Sequence, residues 1–441
     1  MKSTRPAIQT VALASFLGGA TAIAATQRPT PAPNSAGLAL TIATGSRISR
    51  DGPFFKSLGS NGRTCNSCHL EEAGWSFTPE TAQALFASTD GLDPLFRPID
   101  GSNSPAADQS TLELRQAAYS LLLSRAVIRV GLPVPKLAEF ELISAFDPYG
   151  HASALELSLF RRPLPSANLK FQMTLMWDGR HSDPANALAV NLERQAAGAT
   201  TGHAQGLTEP TPEELKKIVA FEMGLTHAQS NDAIAGPLDH RAKGGPKHLR
   251  ATPTRPNPGP QPSPFNLFGQ FDRARAGATP AERERRSLIR EGEALFNTHP
   301  ITIRNVAGVT DTGGKPVLLG TCATCHSARG TGVSQIGTLM DIGISSPERA
   351  KPELPLYRFR NSTTGEVRES LDPGRALITG KWADMDRFKV PSLRGLAARA
   401  PYFHDGSAAT LEDVVRFYDD RFAVHFTERQ RLALVAFLQA L

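Results

Sequence analysis

Cys65-Asn66-Ser67-Cys68-His69 and Cys322-Ala323-Thr324-Cys325-His326 decide how this chain is read. Each is C-x-x-C-H, the attachment pattern of a c-type haem. Two thiols three residues apart reach the two vinyl groups of one porphyrin. The adjacent imidazole then binds the iron from one face. The chain has 4 cysteines, and the two motifs use all of them. Two covalently bound haem c groups are therefore expected, held by Cys65, Cys68, Cys322 and Cys325, with His69 and His326 on the irons. A thioredoxin-like pair, a zinc site or structural disulfides would leave the histidine after each pair to coincidence.

The N-terminus fits export. Lys2 and Arg5 precede an apolar, small-residue run from Thr10 to Ala24, and Ala22-Ile23-Ala24 is an A-x-A-like cleavage signal. Residues 1–24 read as a signal peptide, and the mature protein is expected in the periplasm with no membrane span. The formal charge of +6 is mild for 441 residues. No basic block with interleaved aromatics argues for nucleic acid.

Working outward, residues 25–45 read as a flexible lead-in rich in Pro, Ala, Thr and Gly. Residues 46–251 read as a first haem domain, 252–280 as a Pro-rich linker or insertion, and 281–441 as a second haem domain. The run TPTRPNPGPQPSP at 252–264 excludes a helix or central strand, because proline removes donors and fixes the backbone. Helix starts are marked at Thr211-Pro212 with Glu214, at Thr410, and at Thr427 with Gln430. Strand signals are sparse. The expected fold is mostly α: two cytochrome c-like haem domains packed together, with long loops and little β.

Further strings carry a resemblance. Trp177-Asp178-Gly179-Arg180 lies between the haem motifs; Phe388-Lys389-Val390-Pro391-Ser392-Leu393-Arg394 and Ala400-Pro401-Tyr402-Phe403-His404-Asp405-Gly406-Ser407 follow the second. In this order, from about Asn61 to Leu441, they resemble the bacterial dihaem cytochrome c peroxidase and MauG superfamily, with a longer insertion near 230–285. The resemblance implies a periplasmic oxidoreductase that uses peroxide at the first haem and passes oxidising equivalents through Trp177 to the second. It implies a small periplasmic electron donor, or an oxidisable protein or organic substrate, as partner. Trp75 and Trp382 lack the W-D-G-R context and are expected to pack on porphyrin.

The second haem's distal ligand separates the branches of that superfamily. The position that holds methionine in peroxidase members is Tyr418 here, which resembles MauG. Leu411, Val414, Val415 and Tyr418 fall at i, i+3, i+4 and i+7, so Tyr418 belongs to a buried stripe. Met340 and Met385 are the alternative ligands. The family glutamate above the first haem falls, without a gap, on Ala197. Glu193 and Gln195 are the expected substitutes for acid–base work on peroxide, and His203 is a further candidate. His404 is expected to order the loop beside the second haem or between haems. The resemblance also allows calcium between the domains, but Arg399 stands before Pro401 where a neutral ligand would suit, so calcium is not counted on. Two other functions stay open: a dihaem oxygenase that cleaves an organic substrate with dioxygen, and a non-catalytic electron carrier.

Overall fold

A computed structural model describes residues 29–45, 47–253, 264–273, 277–311, 316–327, 330–334 and 337–441. The expected signal peptide and most of the Pro-rich run lie outside the described residues. The fold is not mostly α: 33% of the chain is helical and 17% is strand, distributed over several sheets.

The strands arise where alternating side chains find a partner far away in sequence. Leu356–Asn361 buries Tyr357 and Phe359 and exposes Arg358 and Arg360. It pairs antiparallel with Val367–Ser370 on one side and with Phe140–Phe146 on the other. Phe140, Phe359 and Trp382 pack together beneath this sheet. The sheet therefore takes one strand from the expected first haem domain and two from the expected second. A four-stranded antiparallel sheet contains Ala32–Asn34, Gly37–Ile42, Thr226–Asp232 and Gly236–Pro237. Ala32–Asn34 and Gly37–Ile42, within the stretch expected as a flexible lead-in, are thus strands joined by a turn. Ala39 and Thr41 point inward, opposite Gln229 and His227.

The capped helices form where their start signals fall. Pro212–Gly224 opens on Thr211, whose hydroxyl accepts the Glu214 N–H while the Glu214 carboxylate accepts the Thr211 N–H. Leu411–Phe422 and Glu428–Gln439 start in the same way on Thr410 and Thr427. Pro280–Thr298 crosses Glu428–Gln439 closely at Gly292, where a Cβ would stand 1.9 Å from the Ala433 carbonyl oxygen. Phe265, Phe268 and Phe271, within the stretch expected as linker, are buried in this same helical core.

The strand Leu157–Arg161 is buried throughout and ends in a charged cluster. The Arg161 guanidinium donates to Asp178 at 2.5 Å and to both Asp372 oxygens at 2.6 and 2.8 Å. Burial pushes both carboxyls up, but Arg161 outweighs it and holds each below the ordinary range. Their contribution to stability is complete above the ordinary carboxylate pKa and is lost as pH falls through the depressed values. Asp372→Ala strands Arg161 half-paired and is expected to cost about 3–5 kcal/mol. The check is the denaturant midpoint; an unmoved midpoint would mean the cluster is structurally idle.

Candidate functional site

Both C-x-x-C-H motifs are built alike. Cys65–Ser67 forms a 3-10 turn and Cys322–Cys325 one helical turn. The Ser67 hydroxyl accepts the Thr64 N–H at 3.1 Å, and the Thr324 hydroxyl accepts the Thr321 N–H at 2.8 Å. These turns bring each pair of free thiols to one side. Burial pushes the thiols up, Cys65 and Cys322 to about 12 and Cys68 and Cys325 to about 11, so they stay neutral.

Each motif histidine is fixed by a carbonyl six residues on. His69 Nδ1 lies 3.0 Å from the Trp75 oxygen, and His326 Nδ1 lies 2.8 Å from the Gly332 oxygen. A carbonyl only accepts, so Nδ1 carries the proton in both rings and Nε2 keeps its lone pair. Burial lowers the basicity of both imidazoles and favours the neutral form. An oriented neutral imidazole whose other nitrogen is tied is the arrangement of a metal-binding histidine.

The two motifs open into two separate cavities, so the cysteine pairs do not combine into one zinc site. The first is lined by Cys65, Cys68 and His69. The second is lined by Cys322, Cys325 and His326. Two thiols and one prepared imidazole lining a common hollow fit a covalently attached haem in each.

The cavities share a wall. Arg162, Pro163, Leu164, Pro165, Trp177, Lys389 and Ser392 line both. Trp177 is held there through Nε1, which donates to the Arg162 oxygen at 2.8 Å, and through its own oxygen, which accepts the Lys389 N–H at 2.9 Å. Its ring centre lies 6.3 Å from that of His404, which stacks on Phe388 at 4.3 Å. His404 Nε2 stands 3.8 Å from Asp372, so the W-D-G-R and P-Y-F-H-D-G strings meet at the Arg161 cluster.

The helix Leu188–Gly202 and its C-cap His203 turn Leu192, Gln195, Ala196, Ala199, Thr200 and His203 toward the first cavity. At 100° per residue these positions share one face. Gln195 is in the wall. Glu193 falls on the flank of the helix and does not line the cavity; Ala197 points further away. His203 Nδ1 donates to Asp100 Oδ2 at 2.5 Å, and Asp100 in turn pairs with the buried Arg63. Burial pushes the Asp100 carboxyl up, but the His203 hydrogen bond and Arg63 hold it below the ordinary range. Asp100 sits in a loop with no periodicity, and only its 103-residue-distant contact with His203 identifies it. The buried Glu222 was also illegible. It lines the first cavity from Pro212–Gly224, its Oε2 has no partner, and burial pushes its carboxyl up to about 8.

In the second cavity Leu411, Val414, Val415, Tyr418 and Phe422 form one lining stripe, and Met340 lines the same hollow. Burial, with the Cys325 and Cys322 thiols adding to it, drives the Tyr418 phenol up. Met385 belongs instead to the core under the three-stranded sheet and does not line the cavity. Trp75 and Trp382 do not line either cavity. Trp75 packs on Phe54 and Phe221 and serves through its backbone oxygen; Trp382 donates to Glu366.

No family model matches the chain. It is 32% identical over 135 residues to cytochrome-c peroxidase IdrP2 of Denitromonas iodatirespirans, covering 28% of this chain and 36% of the relative. It is 32% identical over 124 residues to cytochrome c551 peroxidase of Nitrosomonas europaea, covering 27% and 30%. Against the methylamine utilization protein MauG of Methylorubrum extorquens it is 26% identical over 302 residues, covering 64% of each. The chain thus spans about a third of the length of the two peroxidases. A solved MauG-like protein associated with microbial copper homeostasis aligns over 88% of this chain and 87% of its own, at 15% identity and a TM-score of 0.39. Taken with the two motifs, the sequence matches to cytochrome c peroxidases and MauG support a relationship to the bacterial dihaem cytochrome c peroxidase and MauG superfamily.

Proposed function

We propose that this chain is an exported dihaem c-type oxidoreductase that reduces peroxide at the first cavity and draws electrons through the second. One observation carries the reading: Trp177 stands in a wall common to two cavities, each offering two thiols and a carbonyl-fixed imidazole. The haems supply redox-active iron able to take oxidising equivalents from peroxide. Cys65, Cys68, Cys322 and Cys325 tether them, and His69 and His326 present Nε2 to the irons.

The chain's own residues do the rest. Trp177, rigid and oxidisable, couples the two sites from the common wall. Tyr418 offers its phenol oxygen as second ligand in the second cavity. In the first, Asp100 holds the His203 proton on Nδ1, so His203 Nε2 faces the cavity free to take and return a proton from peroxide. Gln195, with Nε2–H and Oε1 in the same wall, orients the oxidant. Glu193, outside the wall, has no part in this assignment. The two equivalents are drawn from a small periplasmic electron donor or from an oxidisable protein or organic substrate. No helix among the described residues is long and apolar enough to cross a membrane.

The test is the full chain, exported in a host that matures c-type cytochromes. Intact mass is expected to show two added macrocycles. Peroxide is expected to shift the Soret band of the diferric protein and to drive turnover of a reduced cytochrome. Loaded protein that ignores peroxide but takes up dioxygen with an organic substrate would replace this reading by an oxygenase.

A further inference from the structure

The wall between the cavities is cationic and lacks counter-charge. Arg162 and Lys389 line both cavities, Arg399 lines the second, and all three are buried. Among the described residues none of them has a carboxylate within ion-pair distance. The Arg162 guanidinium donates only to the backbone oxygens of Arg125, Phe77 and Arg399 among the described residues. Arg399 donates to the Ser392 and Arg394 oxygens, and its buried Nε has no partner. Lys389 donates to the Gln172 side-chain oxygen and the Thr174 carbonyl, each at 2.6 Å. Arg161, one residue away, shows the contrast: it holds two carboxylates.

Buried charges are paired or they are neutralised. Burial, with repulsion from Arg399 next, pushes Arg162 down to about 9 and Lys389 to about 7; burial alone leads for Arg399, at about 10. Guanidinium groups do not resolve such a conflict by losing a proton. The missing partner is therefore anionic, and the hollow side of the wall is where it enters. Porphyrin carries its carboxylates on the edge away from the thioether-forming vinyls. A macrocycle tethered at either cysteine pair would therefore present its carboxylates on the side away from the thiols, and Arg162, Lys389 and Arg399 would be available to hold them.

We propose that Arg162, Lys389 and Arg399 form one carboxylate-binding seam that receives the acidic edges of both cofactors, and that this seam takes anions rather than a divalent cation. The inference rests on the haem reading above. Planar guanidinium forks suit carboxylates, whereas a divalent cation beside three buried positive charges would be repelled.

The test uses the full-length holoprotein and its Arg162→Gln, Arg399→Gln and Arg399→Lys variants. Loading is read by intact mass, and reduction midpoints by potentiometric titration with and without calcium or a chelator. Removing a positive charge from the acidic edge favours the ferric state. Both glutamine variants are therefore expected to keep two macrocycles but to show a lowered midpoint, which Arg399→Lys largely restores. Wild type is expected to ignore chelator and added calcium; Arg399→Gln is expected to gain a calcium response. Fully loaded glutamine variants with wild-type midpoints overturn the seam alone. So does wild type that carries stoichiometric calcium and shifts on chelation. Glutamine variants that fail to load while Arg399→Lys loads support it. A wild-type mass without macrocycles overturns the haem reading, and the seam with it.

Discussion

His203→Ala is expected to lower peroxide turnover by about 10²–10⁴-fold, the usual worth of a positioned general acid–base group, while both haems stay attached. The geometry carries this. His203 is the C-cap of Leu188–Gly202 and lines the first cavity beside Gln195. Its backbone oxygen accepts Asn61 Nδ2 at 2.8 Å and Arg63 Nη1 at 3.1 Å. That clamp does not involve the imidazole, so alanine removes the proton carrier and leaves the helix end in place. Asp100→Asn keeps a polar neighbour but loses the charge that fixes the ring, and should fall between wild type and His203→Ala. Its pH signature has a definite sign. The Asp100 carboxyl is held below the ordinary range, so the Asp100–His203 pair is intact above that range and fails as pH falls through the depressed value. Gln195→Ala should cost roughly tenfold or less, the worth of one neutral hydrogen bond. Glu193→Gln should run at the wild-type rate. Steady-state kinetics with a reduced cytochrome reads all four. A large loss in Glu193→Gln with none in His203→Ala would reverse the assignment.

What the sequence made legible follows from how local each feature is. Covalent haem attachment needs contiguous residues, so Cys65 to His69 and Cys322 to His326 announce themselves. Tyr418 was legible because a helix repeats its lining positions within eight residues. Glu193 came from the family alignment rather than from helical spacing, and with no capping residue to fix the start of Leu188–Gly202 the alignment did not show which neighbour lines the cavity. The strands failed for a different reason. Phe140–Phe146 and Leu356–Asn361 pair across more than two hundred residues, and a short alternating run says nothing about a partner that distant. Residues 32–42 look like a loose leader until Thr226–Asp232 satisfies their backbone. The Trp75 contribution was beyond reach in principle, since a backbone oxygen holds His69 and the indole is irrelevant to it. The cationic seam was half visible: Arg399 looked wrong for calcium, but only the fold shows that Arg162 and Lys389 share its wall.

Tyr418→Met is expected to raise the midpoint of the second centre by on the order of a few tenths of a volt, within the ~0.8 V that axial ligation commands. A phenol oxygen is a hard donor that favours ferric iron; a thioether favours ferrous. The helix supports the exchange. Leu411–Phe422 is anchored by the Thr410 cap, with Asp413 accepting the Thr410 N–H at 3.0 Å. Tyr418 is flanked on its lining stripe by Val414, Val415 and Phe422, so the backbone is placed independently of the phenol. Methionine is unbranched and adapts to the vacated space. Tyr418→Phe separates two outcomes. Met340 lines the same cavity from the short strand Leu339–Met340, which pairs with Phe388–Lys389. If that thioether moves in, the phenylalanine variant will match Tyr418→Met in midpoint and in its low-spin spectrum. If it does not, the variant gains a high-spin signal at the second centre. Resonance Raman of wild type should show phenolate bands that both variants lose. Bands or midpoints unchanged by either substitution would remove Tyr418 from the iron. The second site would then have to be closed by Met340 from the start, which lines the same cavity.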